Sequence, residues 1–227
     1  MAKLKEKKEA LAQWNEHFPE LKPWKTQHLL RRNGPLLSGI CLDRTGDPGI
    51  YKPTYFIHNL LIPFPVISLS YRAPLLDEYG YKSVRYGIEG VQVADLVGGF
   101  REQVGILGKD ISMPNFVSHA RKVRAGKFGM DTVFLPHLMS DVITIGSIDG
   151  DEYYRQTIGD AVSALERRGG PVNNIIGSIQ EWKEGLLALL ERRNWVAAVE
   201  EEARTHGLPE LEDHGFAVER VEEYWKI

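Results

Sequence analysis

The chain is poor in cysteine, with Cys41 its only thiol in 227 residues. An intramolecular disulfide is thereby excluded, and so is a zinc site built from several cysteines of this chain. Long apolar runs are also missing, because no window reaches the roughly 18 uninterrupted apolar residues that a spanning helix needs. The opening stretch MAKLKEKKEALAQW is positively charged, yet no apolar segment follows it as a secretory signal would require. No Asn-x-Ser/Thr sequon occurs. These absences lead us to expect a reducing, cytoplasmic home and no membrane partner. An excess of either charge is lacking too: 28 Lys and Arg face 31 Asp and Glu, for a net charge of -3, and the isoelectric point lies near 6.2. Bulk attraction to nucleic acid or an anionic membrane is not expected, so any such binding needs a local patch.

Motifs whose spacing is dictated by mechanism are absent as well. There is no Gly-x4-Gly-Lys-Ser/Thr phosphate loop, no Gly-x-Gly-x-x-Gly, no His-Glu-x-x-His and no Gly-x-Ser-x-Gly. Several large enzyme classes become less expected, although a fold can still assemble catalytic groups from distant positions.

What is present is a globular composition, 43% hydrophobic and 26% charged, enough to bury a core in one large domain or two small ones. Leu4, Leu11 and Phe18 recur every seven residues beside Trp14, which predicts an amphipathic helix over 3–18 stopped by Pro19. LLSGICLD and YKPTYFIHNL predict two strands joined by a turn that contains Gly46, Asp47, Pro48 and Gly49. A third strand, VISLSY at 66–71, follows Pro63 and Pro65, so an antiparallel meander is expected. Val93, Val97, Phe100, Val104 and Leu107 mark a helix, and Pro114 with Asn115 as cap opens a shorter one through FVSHARKV. DTVFLP and VITIGSI, within 131–148, are rich in β-branched residues and read as strands.

The last third is helical. Tyr154, Ile158, Val162 and Leu165 form a stripe ended by Gly169, Gly170 and Pro171, while Ser178 and Glu181 make a capping box before another helix. Asn194 caps a further helix that stops near Gly207. The expected fold class is therefore α+β, an antiparallel β meander packed with helices. Residues 1–170 form a mixed α/β domain, and 171–227 a helical subdomain packed on it.

Among chemically capable residues, Cys41 lies between Ile40 and Leu42 and reads as a half-buried strand thiol, inert without a nearby base or cation. His58 shares a strand face with Phe56 and Leu60, so a hydrogen-bonded core histidine, with Asn59 or a polar group of a neighbouring strand as its partner, is favoured over a general base or ligand. Asp131, His137, Asp141, Asp149 and Asp151 gather around the two strands expected at 131–148. His137 and Asp141, with His58, are candidate catalytic groups, and Asp131, His137 and Asp141 are candidate ligands for a divalent metal. Turn and capping roles explain Asp149 and Asp151 equally well. Glu181 and Lys183 mimic a nuclease Glu-x-Lys pair, but the helix expected there puts them on different sides.

Arg121, Lys122, Arg124 and Lys127 occur with no acidic residue between Ile111 and Met130. They are candidate anion or nucleic-acid contacts, with Phe128 available to stack on a base. Acidic residues instead dominate 199–225, which reads as the wet side of a helical tail, with His206 and His214 in ordinary cap or loop positions. Binding is favoured over catalysis. The expectation is a protein-binding chain that acts through an interface, as an accessory subunit or a neutralising partner, without a cofactor. A metal-dependent phosphoesterase or nuclease and a nucleic-acid-binding accessory factor using 119–127 are the alternatives. Self-association is also open, because the N-terminal helix and the helix carrying Trp182 both offer surfaces.

Overall fold

Alternating apolar residues and a tight turn fix the centre of the sheet. In the computed structural model, β3 (Leu36–Arg44) and β4 (Ile50–Asn59) pair antiparallel, with Gly39 opposite Phe56 and Leu37 opposite His58. At the turn, Asp47 Oδ1 accepts from the Gly49 amide at 2.7 Å and Thr45 Oγ1 donates to the Asp47 carbonyl at 2.7 Å. The structure describes residues 4–88, 90–128, 135–148, 150, 152–168, 176–191 and 194–226.

Two strands precede that hairpin, β1 (Lys22–Trp24) and β2 (His28–Asn33), and the order β1-β2-β3-β4 completes an antiparallel meander. The β2 strand escapes a sequence reading because HLLRRN lacks alternation. Arg31 is nonetheless buried, and its guanidinium is bonded to Asp110. Gly39 is required for the close approach of β2, since a β-carbon there would collide with the Leu29 carbonyl oxygen. Short strands β5 (Ala73–Pro74) and β8 (Val84–Arg85) both pair with β4. Between them, β6 (Leu76–Asp77) and β7 (Gly80–Tyr81) form a separate hairpin.

The expected strand at 66–71 is not formed. The segment runs beside β4 as irregular chain, held by the Ile57 amide donating to the Ser70 carbonyl at 3.0 Å, and at Tyr71 the backbone leaves strand geometry with a φ of 50°.

Helix α1 (Leu4–His17) buries Ala10, Leu11 and Trp14, and Trp14 Nε1 donates to the Tyr51 hydroxyl at 3.0 Å. Leu4, 59% exposed, lies outside the buried stripe. Helix α2 (Gly90–Val104) buries Val93, Val97, Phe100 and Val104, as its spacing predicts. Helix α3 (Met113–Arg124) begins one turn earlier than its expected cap. Ser112 is the cap residue, and Asn115 serves instead as an acceptor for the Ser112 amide at 2.9 Å.

The strand expected at 142–148 is a helix, α4 (Leu135–Gly146), while 131–134 lie outside the described residues. An apolar run buried all round carries no period that separates strand from helix. Met139, Val142, Ile143 and Ile145 are all buried, and the hydroxyls of Ser140 and Thr144 satisfy themselves on the Pro136 and Ser140 carbonyls at 3.0 and 2.8 Å.

Helices α5 (Glu152–Gln156) and α6 (Ile158–Arg168) share the expected stripe, divided at Thr157. The break is satisfied by the Thr157 hydroxyl, which donates to the Tyr154 carbonyl at 2.6 Å. Gly169, Gly170 and Pro171 lie outside the described residues. Helix α7 (Ile179–Leu190) carries the Ser178–Glu181 capping box, and Asn194 caps α8 (Trp195–Thr205) by accepting from the Ala197 amide at 3.0 Å.

The final segment forms neither a helix nor a regular strand. It bridges to Arg32 and Ser112 through Asp213 and Ala217, and it buries Tyr224. Leu186, Leu190 and Val199 join the same apolar core as the sheet and α4. The chain is α+β, with an antiparallel sheet and helices concentrated in its C-terminal half. No described helix is long and apolar enough to cross a membrane.

Candidate functional site

Where β4 ends, the chain cannot continue its ladder and turns away through 60–71, opening a space that α4 and α7 close from the other side. The result is a cavity of about 360 Å³. Its polar wall comes from β4 and α4, with Asn59, His137, Ser140 and Asp141. Its apolar wall comes from α7 and the turn, with Trp182, Leu186, Leu189 and Phe64. The helix spacing explains both sides, because His137 and Asp141 lie one turn apart on α4, and Trp182, Leu186 and Leu189 follow the three-four rhythm of α7.

Asp141 is the centre of the polar wall. Tyr71 donates its hydroxyl to Oδ2, and Asn59 Nδ2 donates to Oδ1 at 2.9 Å. Burial pushes its carboxyl up to about 6, against the opposing pull of the bonds from Tyr71 and Asn59. The same burial, with the Asp141 charge beside it, holds the Tyr71 phenol well above its ordinary range.

Tyr71 is anchored at both ends. His119 Nε2 lies 2.9 Å from the Tyr71 carbonyl, and the Tyr71 backbone takes a positive φ of 50°, an unusual conformation for a residue with a β-carbon.

His58 stands at the cavity's edge. Its Nδ1 is 2.9 Å from Ser68 Oγ, while its Nε2 is buried without a hydrogen-bond partner. Of the two kinds of partner expected for this ring, the polar group from the neighbouring segment, Ser68, is the one present. Burial, followed by the nearby His206 ring, pushes His58 down to about 4.

The structure therefore brings His58, His137 and Asp141 to one cavity. His137 is at the exposed rim. Asp131, Asp149 and Asp151 lie outside the described residues. Among the described residues, the group of histidines and acids close enough to share a metal ion is a different one: His58, Glu202 and His206, with one ligand atom of each within 4.8 Å of the others. Glu202 and His206 sit one turn apart at the end of α8, where Glu202 Oε1 is 2.8 Å from His206 Nε2 and accepts from the Phe64 amide at 3.1 Å. Glu202 was thus misread as part of a wet acidic face. The signal that could have found it is its four-residue spacing from His206 on a helix with Val199 inward.

Cys41 is buried, and burial raises its thiol to about 12, so it is an inert core residue. Glu181 is occupied by the α7 cap, accepting from the Ser178 amide at 2.9 Å, and a strand-borne Glu-x-Lys pair with Lys183 does not exist. In the basic cluster, Lys122 and Lys127 are exposed and Arg121 donates to the Glu223 carbonyl at 3.2 Å. Phe128 is buried against the His119 ring, 5.5 Å away, and is not available to stack on a base.

Comparison of the chain with known protein families, with curated proteins and with solved structures finds no match.

Proposed function

We propose that this chain binds a small amphipathic molecule in the cavity between β4, α4 and α7. One observation carries the reading: the space has one polar and one apolar wall, and a buried carboxyl, Asp141, forms part of the polar one. The volume suits a ligand of modest size, at the lower end of the roughly 300–1,000 Å³ common to such sites. An aromatic or branched apolar body would rest on Trp182, Leu186 and Leu189, and a hydroxyl or amine would face Asp141 and Ser140. Asp141 is also placed to exchange a proton with such a head group near neutral pH. A panel of small aromatic alcohols and amines, screened by ligand-observed NMR, tests this. Saturable binding that favours molecules with one polar end supports it, and equal or absent binding across the panel contradicts it.

A protein interface is the second reading, favoured by the apolar run at Pro63 to Val66. These four residues are exposed, with Phe64 at 45% and Val66 at 59%, and Phe64 also lines the cavity. A photo-crosslinker at position 64 should give one discrete adduct in the native cell that Val66→Asp removes. The same products from exposed position 160 would contradict the interface.

A further inference from the structure

The His58 ring poses a question that the cavity does not answer. It is 2% exposed, lies in the core beside Phe64 and His206, and leaves Nε2 without a partner. A buried ring nitrogen left unpaired is destabilising, so such a group in a folded protein asks for an explanation. Glu202, 6% exposed, poses the matching question, because its carboxylate is buried with a backbone amide and an imidazole as its bonded partners.

We infer that His58, Glu202 and His206 form a binding site for one divalent transition-metal ion, with zinc the first candidate. Two imidazoles and a carboxylate are the donor set that zinc takes in sites with an open coordination position. Ligand atoms about 2.0–2.2 Å from a tetrahedral zinc stand roughly 3.3–3.6 Å apart, so the observed set, within 4.8 Å, closes on an ion through side-chain rotation.

The surroundings supply what such a site requires. Ser68 Oγ sits 2.9 Å from His58 Nδ1 and 2.6 Å from Ser70 Oγ. With its proton on Nδ1, His58 donates to Ser68, which donates onward to Ser70, and Nε2 presents its lone pair to the ion. The 3.3 Å approach of the Ser68 amide to Nδ1 is given up in that tautomer. A hydroxyl that accepts from the far nitrogen orients a ligating ring and raises its basicity.

Glu202 and His206 come from successive turns of α8 and are already 2.8 Å apart. The hydrogen between them lies where the ion would enter, so an ion requires the His206 tautomer that carries its proton on Nδ1 and presents Nε2. Three protein ligands leave at least one position for water or for a donor from a bound molecule. Glu202 also lines a second hollow, of about 510 Å³, shared with Phe64 and Pro65, which gives that position a route to solvent.

The test uses the full chain, stripped with a chelator and titrated with Co²⁺ and then Zn²⁺. One Co²⁺ per chain with visible bands of a four- or five-coordinate centre, displaced by one Zn²⁺, is expected. Zn²⁺ should raise the unfolding temperature of the wild-type chain in a concentration-dependent way. Glu202→Gln and His206→Gln should each weaken Co²⁺ binding at least about tenfold. Ser68→Ala should weaken it about tenfold through its effect on His58, and His214→Gln should leave it unchanged. Two outcomes would overturn the site: no stoichiometric ion and no zinc-dependent rise in wild-type stability, or binding that survives both α8 substitutions. Glu202 and His206 would then be a buried helix-end pair and nothing more.

Discussion

Trp182 Nε1 donates a hydrogen bond to Ser140 Oγ at 2.8 Å. This one bond links the apolar wall of the cavity to its polar wall, because Trp182 belongs to α7 and Ser140 to α4. Ser140 in turn donates to the Pro136 carbonyl at 3.0 Å, so its hydroxyl is used in both directions.

Ser140→Ala removes the acceptor and leaves a half-buried indole N–H unpaired. Equilibrium denaturation should show a loss of about 1 kcal/mol. Ligands of the cavity should bind more weakly, since the two helices lose the bond that sets their spacing. Unchanged stability together with unchanged binding would mean that packing alone positions α7.

Gly39 and Gly98 make opposite predictions. A methyl at position 39 strikes the Leu29 backbone, whereas at Gly98, exposed on α2, nothing stands within 4 Å. Gly39→Ala should cost about 3 kcal/mol through forced separation of β2 and β3. Gly98→Ala should stabilise by about 0.5–1 kcal/mol, as expected for glycine replaced in a helix. Similar effects at the two positions in chemical denaturation would contradict the tight β2–β3 approach.

Asp141 and the buried histidines oppose each other in their pH dependence. Burial raises Asp141 from 3.8 to about 6, so the folded state holds that proton more tightly. Its contribution is complete below about pH 4, is lost as pH rises through 6, and is on the order of 3 kcal/mol. Burial lowers His28, His58 and His119 from 6.5 to about 4, so theirs is complete above 6.5 and is lost as pH falls towards 4. Three groups outweigh one, and stability should decline on acidification across this window. Asp141→Asn removes the opposing group, so its stability should fall more steeply between pH 6 and 4 than that of the wild type. Parallel curves would mean that Asp141 titrates near its ordinary value.

The hairpin around Gly46–Gly49, the helices of the last third and their caps were legible because each carries a local signal. Ser178 and Glu181 show this directly, since the reciprocal bonds that their spacing implies are present at 2.9 and 3.0 Å. The misread elements depend on distant partners. VITIG is helical because α3, α5, α6 and α7 pack around α4 and bury nearly every side of it, so its sequence carries no polar face from which a period could be read. HLLRRN is a strand although Arg31 is charged, because Asp110, far along the chain, pairs with it.

The candidate site was legible as a set of residue types and not as a place. His58, His137 and Asp141 were separately suspect, but their meeting depends on a turn at 60–71 and on α4 being a helix. Tyr71 and Trp182 had no local mark of a site. Glu202 was hidden by its acidic neighbours, whose charge suggested a solvated face.

The binding reading rests on the cavity itself, and Gly185 gives the most direct test of it. It lines the space from α7, and a β-carbon there would meet no atom within 4 Å. Gly185→Leu should therefore enter without a clash at its β-carbon, occupy part of the cavity and gain about 0.8 kcal/mol from helix propensity. Calorimetric titration with 2-naphthol, an aromatic body with one hydroxyl, should give a single site in the wild-type chain and at least tenfold weaker binding in Gly185→Leu of undiminished stability. Equal binding by the two proteins, or none by the wild type, would contradict the assignment of this cavity as the functional site.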